Sequence, residues 1–392
     1  MFLRRPFREL RATFAQQTVA NALILPIRFL YIVALCSAPM LQAQDAPRYK
    51  VDASWPKPLP NNWTIGGIGG LAVDKDDHIW VYHRPGTITP AEAGAEQNPP
   101  ISICCYRAPA VLEFDFDGTV LQAWGGPGWV ADWPAQEHGI TVDSDGNVWL
   151  GGNGPGGAGI PDRQLLKFSH DGKQLLKEIG HPSTAPANNA DTSLLGGPAQ
   201  VTLDPAAQEM YVADGCVNKR VLVFDIKSFA FKRGWGAYGV ALSAIDNSPS
   251  PRYEPPGAVN KNFWGPVHCV RISADGLVYV CDRDGDRIQV FTKQGQFIKE
   301  FFVAPKTLGT GSAYGVLFSH DPKQKYLLVG DGSNNVIWIL DRGDGSVVGS
   351  FGHSGGNAGQ FRGLHQMAMD SRGNIYTGET GIKRAQRFLL VK

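Results

Sequence analysis

Six times along the chain, two short apolar runs flank a turn headed by Asp or Ser. This repeat restricts the possible folds more than any other feature. Leu71-Ala-Val-Asp74 leads to Ile79-Trp80, Ile140-Thr-Val-Asp143 to Val148-Trp149, and Val201-Thr-Leu-Asp204 to Met210-Tyr211. Val270-Arg-Ile-Ser273 leads to Val278-Tyr279, Val316-Leu-Phe-Ser319 to Tyr326-Leu327, and Met367-Ala-Met-Asp370 to Ile375-Tyr376. Apolar alternation on both sides of a turn dipeptide such as Asp145-Gly146 reads as a β-hairpin. The copies run on into a third and a fourth strand, with turns at Asp117-Gly118, Asp171-Gly172, Gln294-Gly295 and Asp344-Gly345. One four-stranded unit cannot bury its faces alone, whereas six packed around an axis can. The repeat therefore predicts an all-β, six-bladed β-propeller with four antiparallel strands per blade. The sixth copy ends after three strands at Phe388-Leu-Leu-Val391, so residues 49–55 are expected to supply its outer strand and close the ring.

The Asp/Ser markers lie 46 to 69 residues apart, and a bare blade needs roughly 40–45. The excess falls in insertions at 85–109, 181–197 (with part of 150–163) and 237–262, all rich in Pro, Gly, Ser and Asn. Charged residues make up only 19% and glycines number 47, which suits a turn-rich β fold and not a disordered chain.

Residues 1–43 differ from the rest. Arg4, Arg5, Arg8 and Arg11 precede an apolar run over 29–41 that ends in Gln42-Ala43, the pattern of a cleaved secretory signal. Pro26 and Arg28 cut the run below the roughly 18–20 residues of a membrane span. The expected organisation is a signal peptide over 1–43 and one propeller over 44–392, secreted or periplasmic. Removing five Arg and one Glu takes the net charge from +1 to −3. No basic patch then remains for nucleic acid or for a membrane.

Five cysteines follow the segment. Cys269 and Cys281 lie symmetrically about the turn at Ala274-Asp275-Gly276, facing each other as a disulfide or as two thiols. The odd count leaves one unpaired. Cys216 is either that one or a partner of Cys104 or Cys105.

Five residues before the marker, the second, fourth and sixth copies carry His138, His268 and His365, and the others carry Gly69, Ala199 and Tyr314. First strands line a propeller's channel, and alternate blades lie a third of a turn apart, so the three imidazoles should converge on the axis. Three imidazoles with an open fourth position are the ligand set of a catalytic zinc, and another divalent transition metal also suits them. His78, His170 and His320 fall at hairpin turns and His181 and His353 in loops, so all five are expected in solvent. Second strands end on the histidine-bearing rim. This places His83-Arg84, Asp214-Gly215-Cys216 and Asp282-Arg283 opposite the cluster. Arg84 and Arg283 are suited to a substrate carboxylate or to transition-state charge. Arg84 has no acid beside it in sequence, whereas Arg283 has Asp282, Asp284 and Asp286 as competing partners. Insertions 181–197 and 237–262 enter first strands and should cover the same rim as a lid.

The motifs Val81-Tyr-His-Arg84, Glu137-His-Gly-Ile-Thr-Val-Asp-Ser-Asp-Gly-Asn147, Asp214-Gly-Cys-Val-Asn-Lys-Arg220, Val280-Cys-Asp-Arg-Asp-Gly-Asp-Arg-Ile-Gln289 and Gly363-Leu-His365 carry a resemblance. Over roughly residues 50–390 the chain resembles NHL-type six-bladed propellers, and among them the peptidyl-α-hydroxyglycine α-amidating lyases. The resemblance implies zinc on His138, His268 and His365, a catalytic Arg84 and a second active-site Arg283. It implies C–N cleavage of an α-hydroxyglycine to an amide and glyoxylate, hence a small carboxylated or peptide-like substrate. There are two departures. The family's catalytic tyrosine falls at Cys216, a thiol that could act as a base or as a thiolate near arginine. A carboxylate that helps bind structural calcium is Gln366, which puts calcium in doubt. The alternatives are a non-catalytic propeller that binds a ligand or protein on its rim, or a hydrolase of the lactonase type. The lactonase type usually holds its metal through carboxylate and amide oxygens.

Overall fold

The computed structural model describes residues 46–155, 160–255 and 260–391, which fall in one compact unit. The signal-like segment 1–43 lies outside the described residues. Six four-stranded antiparallel sheets follow one another, with first strands Gly67–Val73, Glu137–Val142, Pro198–Asp204, Val267–Ile272, Gly315–Phe318 and Leu364–Met369. These are the six blades predicted from the repeat. The core lies between neighbouring blades. Tyr211, Val223 and Trp235 of blade three pack with Val270, Val280 and Phe291 of blade four, and the other junctions follow suit.

Blade six is completed by Arg48–Asp52, which runs antiparallel to Ala385–Val391 with Asp52 opposite Arg387. The closing strand is shorter than residues 49–55 because Trp55 leaves the sheet. Its ring is 4% exposed and packs 5.0 Å from Tyr376 and 5.8 Å from Phe114. That inward turn serves a recurring latch between blades. An aromatic ring at the end of one blade lies on the glycine in the last turn of the next: Trp124 on Gly172, Trp235 on Gly295, Phe301 on Gly345, and Trp55 on Gly118. A Cβ at Gly172 would sit 2.1 Å from Trp124, and the residue's φ is +68°, so only glycine fits.

The rim is held by acid–arginine pairs. Asp214–Arg220 and Asp282–Arg287 are fully buried at 2.7 and 2.8 Å, and Glu379–Arg384 repeats the arrangement in blade six. Arg220 donates to the carbonyls of Asn188, Asn189, Asp191 and Leu194, and Arg287 donates to those of Asn260 and Asn262. Insertions 181–197 and 237–262 are thereby pinned to the rim and joined through Asn189 and Asn247.

Two open alternatives are settled and one expectation changes. Cys269 and Cys281 stand opposite each other and are joined, as one alternative had it. Cys104 and Cys105 are joined to each other, so Cys216 does not pair with either and is free. His78 and His170 are not simply solvated, because they flank the buried Glu113 carboxylate at 2.8 and 3.3 Å. That carboxylate is inaccessible to water, and partners on both oxygens compensate its desolvation.

Asp286 offers a test of the blade-four turn. It is fully buried near Asp331, and its carboxyl is pushed up to about 7, chiefly by burial. The unfolded chain releases this proton near pH 4 and the native state near pH 7, so its contribution to stability falls as pH rises between the two. Asn is tolerated at the residue's φ of +51° and carries no charge. Asp286→Asn should gain about 2–3 kcal/mol more at pH 8 than at pH 5. Urea melts at both pH values check this, and an equal effect at both would refute it.

Candidate metal centre

His138, His268 and His365 meet on the axis, with ring centroids 4.9 to 5.1 Å apart and exposures of 0, 1 and 7%. Each Nδ1 faces a backbone carbonyl on the following blade: Ala199 at 2.9 Å, Tyr314, and Ile68 at 2.9 Å. A carbonyl only accepts, so each Nδ1 carries the hydrogen and each Nε2 presents a lone pair. The His268 and His365 Nε2 atoms are 3.3 Å apart, and His138 Nε2 is buried without a partner. Burial, reinforced by neighbouring charges, holds His138 and His365 well below the usual histidine range and lowers His268 to about 3. Three neutral rings therefore aim lone pairs at one point, an arrangement a divalent cation relieves and a proton does not. The residues fit a metal held by three imidazoles.

A β-bulge in the first strands aims these rings. His268 and His365 are themselves the extra residues, whereas in blade two the extra residue is Gly139 and His138 pairs with Gly151. Such bulges re-aim side chains beside functional sites. Gly139 has φ +73°, and a Cβ there would lie 2.5 Å from the Ala199 carbonyl that orients His138.

The non-histidine positions have their own parts. Gly69 lies against the Glu137 carbonyl, which accepts the Arg84 Nε hydrogen at 2.9 Å. That is the one side-chain hydrogen bond of Arg84 among the described residues, so the rest of its guanidinium is uncommitted. Tyr314 stands 5.4 Å from His268 and 6.2 Å from His365, with the Arg283 guanidinium 5.0 Å over its ring. Arg283 also pairs with Asp284 at 3.0 Å, so the competing acid is partly realised.

Cys216 ends up close enough to feel both Arg283 and Arg84, with Asn153 bonded to it. Burial outweighs those arginines and pushes the thiol up to about 11, so it keeps its proton at neutral pH and is not a thiolate. The rim residues Asp214 and Asp282 are spent on their arginines. His83 accepts from Gly66 N–H and faces the Pro109 carbonyl, away from the cluster's chemistry. Sequence reading passed over Glu137, whose buried carboxyl is pushed up to about 7 beside Arg84. It also passed over Tyr314, although the repeat alignment marks that position in blade five.

Among the described residues no helix is long and apolar enough to cross a membrane. No protein-family model matches the chain. It is 24% identical over 364 residues to peptidyl-α-hydroxyglycine α-amidating lyase 1 of Drosophila melanogaster, covering 87% of this chain and 60% of that one. It is 25% identical over 360 residues to NHL repeat-containing protein 3 of Mus musculus, covering 88% and 85% respectively. It spans about a third of the length of the Xenopus laevis peptidyl-glycine α-amidating monooxygenases it also matches. A solved streptogramin B lyase, 12% identical, aligns with 89% of this chain and 100% of its own at a TM-score of 0.51, a likeness of fold. The chain is thus a six-bladed β-propeller that resembles NHL repeat-containing protein 3 and the peptidyl-α-hydroxyglycine α-amidating lyases.

Proposed function

We propose that the chain is an exported, metal-dependent lyase that cleaves the C–N bond of a small carboxylated α-hydroxyamide, such as a peptidyl-α-hydroxyglycine. The observation that carries this reading is the convergence of three buried imidazole lone pairs beside two arginines. His138, His268 and His365 would hold the metal, zinc being the first choice, which supplies Lewis-acid polarisation of a substrate oxygen. Arg84, free beyond its Nε, clamps the substrate carboxylate, and Arg283 assists from across the rim. Breaking the C–N bond moves one proton from the hydroxyl to the departing amide nitrogen as the aldehyde of glyoxylate forms. The protonated Cys216 thiol is suited to give that proton and recover one from the hydroxyl. Export through residues 1–43 belongs to the same reading, and the N-terminal mass of the protein recovered outside the cytoplasm checks it.

One observation favours a second reading, a propeller that binds a carboxylated ligand without turning it over: Cys216 stands where the lyases carry tyrosine. The test is glyoxylate release from an N-acyl-α-hydroxyglycine by zinc-loaded protein. Release should depend on the metal, and Cys216→Tyr should raise it toward the ~10²–10⁴-fold that a general acid or base contributes. No release from either protein, with one metal bound, would overturn the lyase and leave the binding module.

A further inference from the structure

Past the histidines, toward the hairpin end of the channel, the chain carries a second unusual group. Arg271 follows His268 by three residues, about 10 Å farther along the same strand. Its Nε is shut off from solvent with no hydrogen-bond partner, and Nη2 reaches only the Met367 carbonyl, at 3.4 Å. No acidic side chain acts on it, and burial alone lowers it to about 10. The carboxylates nearest this end are engaged elsewhere. Asp143 and Asp204 pair with Lys167 and Lys293, while Asp74 and Asp370 cap their own hairpins. Thr141 and Thr202 likewise spend their hydroxyl hydrogens on the Val201 and Val270 carbonyls. Arg271 lines a cavity of about 280 Å³ at this mouth.

Arg271 is partly buried with its Nε closed to water, and a guanidinium so placed without a counter-charge is unfavourable unless something compensates it. Among the described residues its one acceptor is the distant Met367 carbonyl, and the cavity has room for an anion. We infer that the hairpin end of the channel is a binding site for a small anion, chloride or a small carboxylate, held by the fork of Arg271. The same positive charge opposes a cation in this part of the channel. The inference stands on Arg271 and its cavity and does not depend on the lyase reading.

The test uses the full mature protein. At constant ionic strength, replacing a bulky anion with chloride should raise Tm saturably by about 2–5 °C, as a ligand selective for the native state does. Acetate in place of chloride distinguishes the two sources. Arg271→Met should abolish the response, and Arg271→Gln serves if that variant does not fold. Crystals of the wild type soaked in bromide should show anomalous density beside Arg271. Water alone at that position, or an equal chloride response in wild type and variant, would overturn the site.

Discussion

His365→Ala is expected to empty the metal centre and remove any turnover that depends on it. The three rings form one cluster that could hold a metal, and each Nδ1 is fixed by a carbonyl of the next blade, so no ring can swing in to replace a lost one. Loss of a merely supporting group at such centres costs ~10–100-fold in metal affinity, and loss of a ligand should exceed that. Bound metal should fall from about one per chain to near zero after dialysis and fail to return on zinc reconstitution. The fold should survive, because the inter-blade cores and the closing strand do not include this residue. A variant that keeps one metal per chain would show that the histidines are only lining the channel.

The sequence disclosed the ring and the histidine register because both follow from strict periodicities. Period-two alternation marks each hairpin, and glycines at fixed turns mark the next strand, so the blades could be counted. Ring symmetry then turned equal sequence positions into convergence. What stayed hidden depends on contacts between blades. Asp214 and Asp282 looked like site residues because they end on the right rim, yet each is buried against an arginine only five or six positions on. His78 and His170 belong to different blades and meet only across Glu113. The bulge that offsets His138 from His268 and His365 adds a residue without changing the hydrophobic pattern. Arg271 lies within a first strand, where alternation cannot tell a channel wall from a solvated face.

The rim holds two kinds of arginine. Arg220 and Arg287 have most of their donors committed and an acid at bonding distance, and they hold the insertions in place. Among the described residues the Arg84 side chain has one hydrogen bond, to a carbonyl, and its charge acts on all three histidine rings. A partly buried arginine without an ion pair carries a desolvation penalty that a bound carboxylate would offset. That difference is why we propose Arg84 as the group that holds the substrate.

Arg84→Ala should accordingly lower kcat/KM on a carboxylated α-hydroxyamide by about 10²–10³-fold, the scale on which a preorganised charge-stabilising donor acts. Metal content should remain about one per chain, since Arg84 is not among the converging imidazoles. Stability should change little. The lost Nε bond to the Glu137 carbonyl is worth roughly 1 kcal/mol, a few degrees of Tm at most. Arg84→Lys separates charge from shape, because an ammonium keeps the charge but cannot grip a carboxylate bidentately. It should recover part of the rate and retain a raised KM. A neutral substrate analogue without the carboxylate should be nearly indifferent to either substitution. If Arg84→Ala instead unfolds the protein, or leaves turnover of the carboxylated substrate intact, the arginine is a rim strut like Arg220, and the substrate anion must be held elsewhere.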